Sequence, residues 1–130
     1  MKLSSPTGPR QIICLRPFKF NTQEDGEVFL FFAVDVFSGY LFSLGGSHSL
    51  EPGDILNPVE QLMQHEDFLR YTGTPFTLVL DFGDDLVDEL NRVVMPHGGR
   101  VLVDANFIED VMMPHMVEFF GAFGRNQSGL

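Results

Sequence analysis

Positive charge is scarce in this 130-residue chain: eight Lys and Arg stand against 18 Asp and Glu, for a formal net charge of -10. Nucleic acids are held largely through phosphates neutralised by Lys and Arg, so the deficit argues against autonomous nucleic-acid binding. Cys14 is the sole cysteine, which rules out an internal disulfide and fits a reducing cytoplasm. No apolar run approaches the roughly 20 residues needed to cross a bilayer. The longest, Val28 to Val36, is interrupted by Asp35. The start, Met1-Lys-Leu-Ser-Ser-Pro6, has none of the apolar character of a signal peptide. A cytoplasmic protein without membrane association is expected. Phosphate-binding loops are missing too, since Gly45-Gly46 and Gly98-Gly99 lack the lysine or further glycines such loops use. His48, His65, His97 and His115 share no metal-ligand spacing and read as surface or loop residues.

Core material is plentiful. The chain is 44% apolar with 14 Phe, enough for one domain over residues 1–130, with flexible ends expected at 1–9 and 124–130. Gln11 to Phe20 reads as a strand, Asp25-Gly26 as a turn, and Glu27 to Val36 as a second strand. The second strand is apolar at successive positions, so both of its faces should be covered by helices. Phe37-Ser38-Gly39 reverses the chain into a third strand, Tyr40 to Leu44, and the Gly-, Ser- and Pro-rich stretch Gly45 to Asp54 reads as the longest and most mobile loop.

Asn57-Pro-Val-Glu60 then reads as a helix start, with Val59, Leu62, Met63 and Leu69 on one face and an end near Tyr71-Thr-Gly73. Phe76 to Leu80 is a buried strand, and Leu86, Val87, Leu90, Val93 and Val94 follow helical spacing up to Pro96-His-Gly-Gly99. Arg100 to Val103 is a fifth strand. A last helix carries Ile108, Val111, Met112, Phe119, Phe120 and Phe123, with Pro114 predicted to kink it or to start a fresh helix near Met113. Its Met and Phe residues, including Met113 and Met116, surround the helix, so one side fits the core and the other a contact with a protein partner or a second copy.

Three strings stand out in this order: Asp25-Gly26 leading into Phe29-Leu-Phe-Phe-Ala-Val-Asp35-Val-Phe-Ser38 and Tyr40-Leu-Phe-Ser-Leu-Gly45; Asp81-Phe-Gly83 at the end of the fourth strand; and Asp104-Ala-Asn-Phe-Ile-Glu109. Together they resemble the catalytic core of the integrase and transposase family within the ribonuclease H-like superfamily. The resemblance covers roughly Gln11 to Phe120. It implies an α/β fold of order βββαβαβα, a five-stranded mixed sheet in the order 3-2-1-4-5, with helices on both faces. It also implies a second catalytic carboxylate at Asp81 and a third near Glu109. The first catalytic carboxylate of that family lies on strand one, which corresponds to Arg16-Pro17 here, and no Asp or Glu occurs from Met1 to Gln23. Two-metal phosphoryl transfer needs anionic ligands converging on cations, and an arginine would repel them.

The leading expectation is therefore a catalytically inactive integrase-core-like domain serving in protein association or regulation. The alternative is a nuclease or phosphotransferase dependent on Mg²⁺ or Mn²⁺ that uses Asp35, Asp81 and Glu109. Asp81, Asp84, Asp85 and Glu109 are the candidates for a residual Mg²⁺ or Ca²⁺ site, because hard cations take oxygen ligands. Against these readings, Asp35 suits a hydrogen bond to its own turn, and Asp84 and Asp85 suit the positive end of a helix. Cys14, inside an apolar strand, reads as buried rather than nucleophilic. A third reading is a small regulatory module whose fold only imitates this order.

Overall fold

The structure, a computed structural model, describes residues 3, 5–70 and 73–128, with side chains described as far as Gly121. The first three strands form an antiparallel meander: β1 (Ile12–Thr22), β2 (Gly26–Asp35) and β3 (Leu41–Ser47). β1 and β2 pair in continuous register from Ile13 opposite Asp35 to Thr22 opposite Gly26. β4 (Phe76–Leu80) and β5 (Gly99–Val103) then add in parallel on the other side of β1. The sheet order is 3-2-1-4-5, as the resemblance implies.

Side chains alternate across a strand, and here both alternating sets are apolar. Ile13, Leu15, Phe31, Ala33, Leu78 and Leu80 project to one face and pack on α1 (Leu56–Gln64), α2 (Glu66–Leu69) and α3 (Val87–Val94). Ile12, Cys14, Phe32, Val34 and Val79 project to the other. There they meet a continuous helical segment made of α4 (Ala105–Phe107), a π turn (Ile108–Met112) and α5 (Met113–Ser128). Helices thus cover both faces. No helix among the described residues is long and apolar enough to cross a membrane.

Local expectations fail at three places, each for an identifiable reason. The stretch Gly45 to Asp54 is not one long loop, because β3 extends to Ser47 with Leu30 opposite Gly46. That pairing needs a glycine, since a Cβ on residue 46 would stand 2.7 Å from Leu30 Cδ2 and 2.8 Å from the Phe29 carbonyl oxygen. The first helix begins before Asn57, because Pro52–Ile55 already forms a 3₁₀ turn in which the Asp54 carboxylate accepts the Glu51 N–H at 2.7 Å. It also breaks in two at His65, whose backbone is extended and whose Nδ1 accepts the Asp67 N–H at 3.2 Å.

Near Pro114 the expectation holds: a fresh α-helix, α5, starts at Met113, and a π turn leads into it without a break. The Met113 N–H donates to the Ile108 carbonyl, five residues back, so the proline falls in the first turn of α5 where a missing N–H costs no helical bond. The ends expected to be flexible, 1–9 and 124–130, lie partly outside the described residues; the α5 backbone runs to Ser128.

Candidate functional site

β1 outruns β4. Their ladder pairs Ile12 with Thr77, Ile13 with Leu78 and Cys14 with Val79, and two more steps of that register bring Arg16 level with Asp81. Both residues share the parity of Cys14 and Val79, so both lie on the face covered by α5. The Arg16 Nε stands 3.2 Å from Asp81 Oδ2, with the two side chains 28% and 20% exposed. Nε makes no well-aligned hydrogen bond, so the contact is an ion pair held by charge. The rest of the guanidinium is also engaged. Nη1 donates to Met113 Sδ at 3.1 Å, and the guanidinium carbon lies 4.8 Å from the Phe18 ring centre. Pro17 follows past the last β1–β4 pair, where one side of β1 is open and a residue without an N–H is tolerated.

Asp35 is elsewhere. It stands opposite Ile13, three residues along β1 from Arg16 and across β1 from β4. That separates it from Asp81 by about 10 Å along the strands and about 10 Å across two strand spacings. It also has the parity of Phe31 and Ala33, and so lies on the opposite face of the sheet. Its carboxylate accepts the Arg10 N–H at 2.9 Å and the Phe37 N–H at 3.0 Å, the second being the turn contact expected from the sequence. Asp35 and Asp81 therefore cannot share a metal ion, and the set Asp35, Asp81 and Glu109 does not converge. Glu109 is exposed in the π turn, while Asp104 caps α4 by accepting the Phe107 N–H at 3.0 Å. Asp84 and Asp85 are exposed in the 3₁₀ turn Asp84–Leu86 that leads into α3. Among the described residues, no group of three or more His, Cys, Asp or Glu is placed to hold a metal. Cys14 is fully buried, and burial pushes its thiol up to about 12, far from a nucleophile's range.

Arg10 had no signal in the sequence. It is 2% exposed and adopts a left-handed backbone (φ 70°). Its guanidinium carbon lies 4.3 Å from the Phe68 ring centre and 4.9 Å from that of Phe76, and Nη2 donates to the His97 carbonyl at 2.9 Å. With Asp35 it lines a hollow of about 270 Å³ beside Tyr40, Phe42 and Asp67. The Tyr40 hydroxyl donates to the Asp67 carboxylate, and that bond raises the Tyr40 pKa. A lone Arg before an apolar strand carries no periodic signal. Only the packing of Phe68 and Phe76 makes it a core residue.

No protein-family model matches the chain, and no curated protein sequence matches it either. Solved structures do. A chain of the simian T-cell lymphotropic virus intasome, in complex with PP2A regulatory subunit B56 gamma, superimposes with a TM-score of 0.56 and 14% identity over 91% of this chain. The HTLV-2 integrase catalytic core domain, in a dimeric form with magnesium, superimposes with a TM-score of 0.53 and 13% identity over 85% of this chain. This chain has the retroviral integrase core fold. It spans 44% of the intasome chain and 74% of the HTLV-2 chain. In this chain the ends of β1 and β4 lie side by side, and the Arg16–Asp81 ion pair joins them on the α5 face.

Proposed function

We propose that this integrase-core-fold domain has lost metal-dependent phosphoryl transfer and serves in protein association. The observation that carries the reading is the guanidinium of Arg16 at 3.2 Å from Asp81, where the resemblance calls for a pair of carboxylates. A divalent ion at the β1–β4 strand ends would need converging anionic oxygens. The residues present do not fit one: Arg16 supplies the positive charge itself, and Asp35 lies on the other face. The net charge of -10 also opposes the close approach of a nucleic-acid backbone. Association is supported by exposed apolar side chains on α5, where Val117 is 65% and Phe119 39% exposed. It is also in keeping with a fold neighbour solved in complex with a protein regulatory subunit.

Calorimetric titration with Mg²⁺ and Mn²⁺, alongside incubation with DNA and RNA, tests the proposal. The expected result is no saturable binding and no cleavage. Saturable binding abolished by Asp81→Ala, together with cleavage, would overturn it. Arg16→Asp, which places a second carboxylate beside Asp81, is expected to introduce weak Mn²⁺ binding that the parent chain lacks.

A further inference from the structure

α5 covers only part of its sheet face. Met112 and Met116 close over Ile12, Cys14, Val34 and Val79, whereas the far half of the β1–β2 hairpin borders an open groove of about 370 Å³. Its floor is Phe20, Val28, Leu30 and Phe32, its wall is Phe119 and Phe120 of α5, and Thr22 is the one polar residue lining it among the described residues. The groove is firmly built. The Phe120 ring packs edge-on against Phe18, Phe20 and Phe32 at centroid distances of 5.2, 5.6 and 5.9 Å. What it presents is a row of side chains on a sheet face, so its complement is an apolar stripe of side chains.

Among the described residues, the carboxylates near the groove outnumber free cations. Asp25 lines the hollow that adjoins it and shares Thr22, Val28 and Leu30 with it. Glu24 precedes Asp25 in the exposed hairpin turn, and the exposed Glu118 precedes Phe119 on α5. The two cations of β1 are committed, Arg16 to Asp81 and Lys19 to Glu27. A second copy of the chain docking symmetrically would set two such acidic rims together, each on a molecule of net charge -10. A basic partner meets no such repulsion.

We propose that this groove docks an amphipathic helix of a partner protein, with aliphatic or aromatic anchors on one face and Lys or Arg on the other. Such a helix would lie beside α5 and complete the helical layer on that side of the sheet, the helix-in-groove mode of recognition. The proposal rests on the protein-association reading and names its surface and partner class.

The probe is a synthetic helix of about 18 residues, five turns, with Leu at i, i+3, i+4 and i+7 spacing and Lys elsewhere, set against the same peptide with Glu for Lys. The ¹⁵N-labelled protein should show saturable shifts at Val28, Leu30 and Phe119 with the Lys peptide, and binding by the Glu peptide should be about tenfold weaker or less. Phe119→Ser and the surface charge reversals Asp25→Lys and Glu118→Lys should each weaken binding of the Lys peptide several-fold. The reversals keep the core intact, so a folding defect in Phe119→Ser leaves the outcome readable. Equal binding of both peptides, shifts centred away from the groove, or a concentration-dependent dimer that perturbs the groove residues would overturn the proposal. Failure here with the metal titration still silent removes the surface and leaves the loss of catalysis standing, whereas metal-dependent cleavage removes that loss on its own.

Discussion

At the scale of single residues, Arg16 and Asp81 behave as one unit. The pair is partly sheltered, so its strength lies above that of a fully exposed bridge and below that of a desolvated one. Asp81→Asn is expected to cost about 1 kcal/mol, read from urea denaturation midpoints, because it leaves the sheltered guanidinium beside a neutral amide. Cys14 makes a second prediction. Its thiol titrates near 12 in the folded chain against 9.0 for an ordinary thiol, so the unfolded state loses this proton first as pH rises. The stabilisation is present below pH 9 and declines toward pH 12. Thiol labelling at pH 8 should therefore be blocked in the native protein and should track global unfolding in denaturant. The place of Arg16 on β1 was legible in the sequence, because strand position and the absence of any carboxylate before Glu24 are linear facts. Its partner was not, since no rule of spacing links residue 16 to residue 81.

Among the elements, strands were read more faithfully than helices. β4 is buried at all five positions and was visible as a short apolar run between breakers. The break at His65 was invisible because its neighbour there, the ring of Phe42 on β3, meets His65 edge-on at 5.0 Å and is remote in sequence. Glycines decide two of the closest approaches. A Cβ at position 99 would lie 2.2 Å from Phe76 Cζ, and that ring is hemmed in by Phe68 at 5.0 Å and by the Arg10 guanidinium at 4.9 Å. Gly99→Ala should thus destabilise the fold by about 1 to 3 kcal/mol, the scale of overpacking in a closed core, measured by thermal or chemical denaturation. Pro114 shows how a residue with one clear local rule is absorbed: a widened turn before it puts the proline in the first turn of α5, where no N–H is needed.

For the molecule as a whole, excess negative charge acts on stability as well as on partners. Self-repulsion at a net charge of -10 is screened by salt. Raising NaCl from low concentration to about 0.5 M should raise the melting temperature by roughly 3 °C, worth under about 1 kcal/mol for a domain of this size. A fall on adding salt would mean that ion pairs such as Arg16–Asp81 outweigh the repulsion.

The order of elements, the cover on both faces of the sheet and the absence of any Asp or Glu from β1 were determined by the chain alone. Period, turn residues and charge are local properties that survive without coordinates. The separation of Asp35 from Asp81 onto opposite faces, the capture of Arg10 between two Phe rings and the open groove beside α5 were decided only by tertiary structure. Each is a relation between residues distant in sequence, created when strand register and helix packing choose which side chains meet.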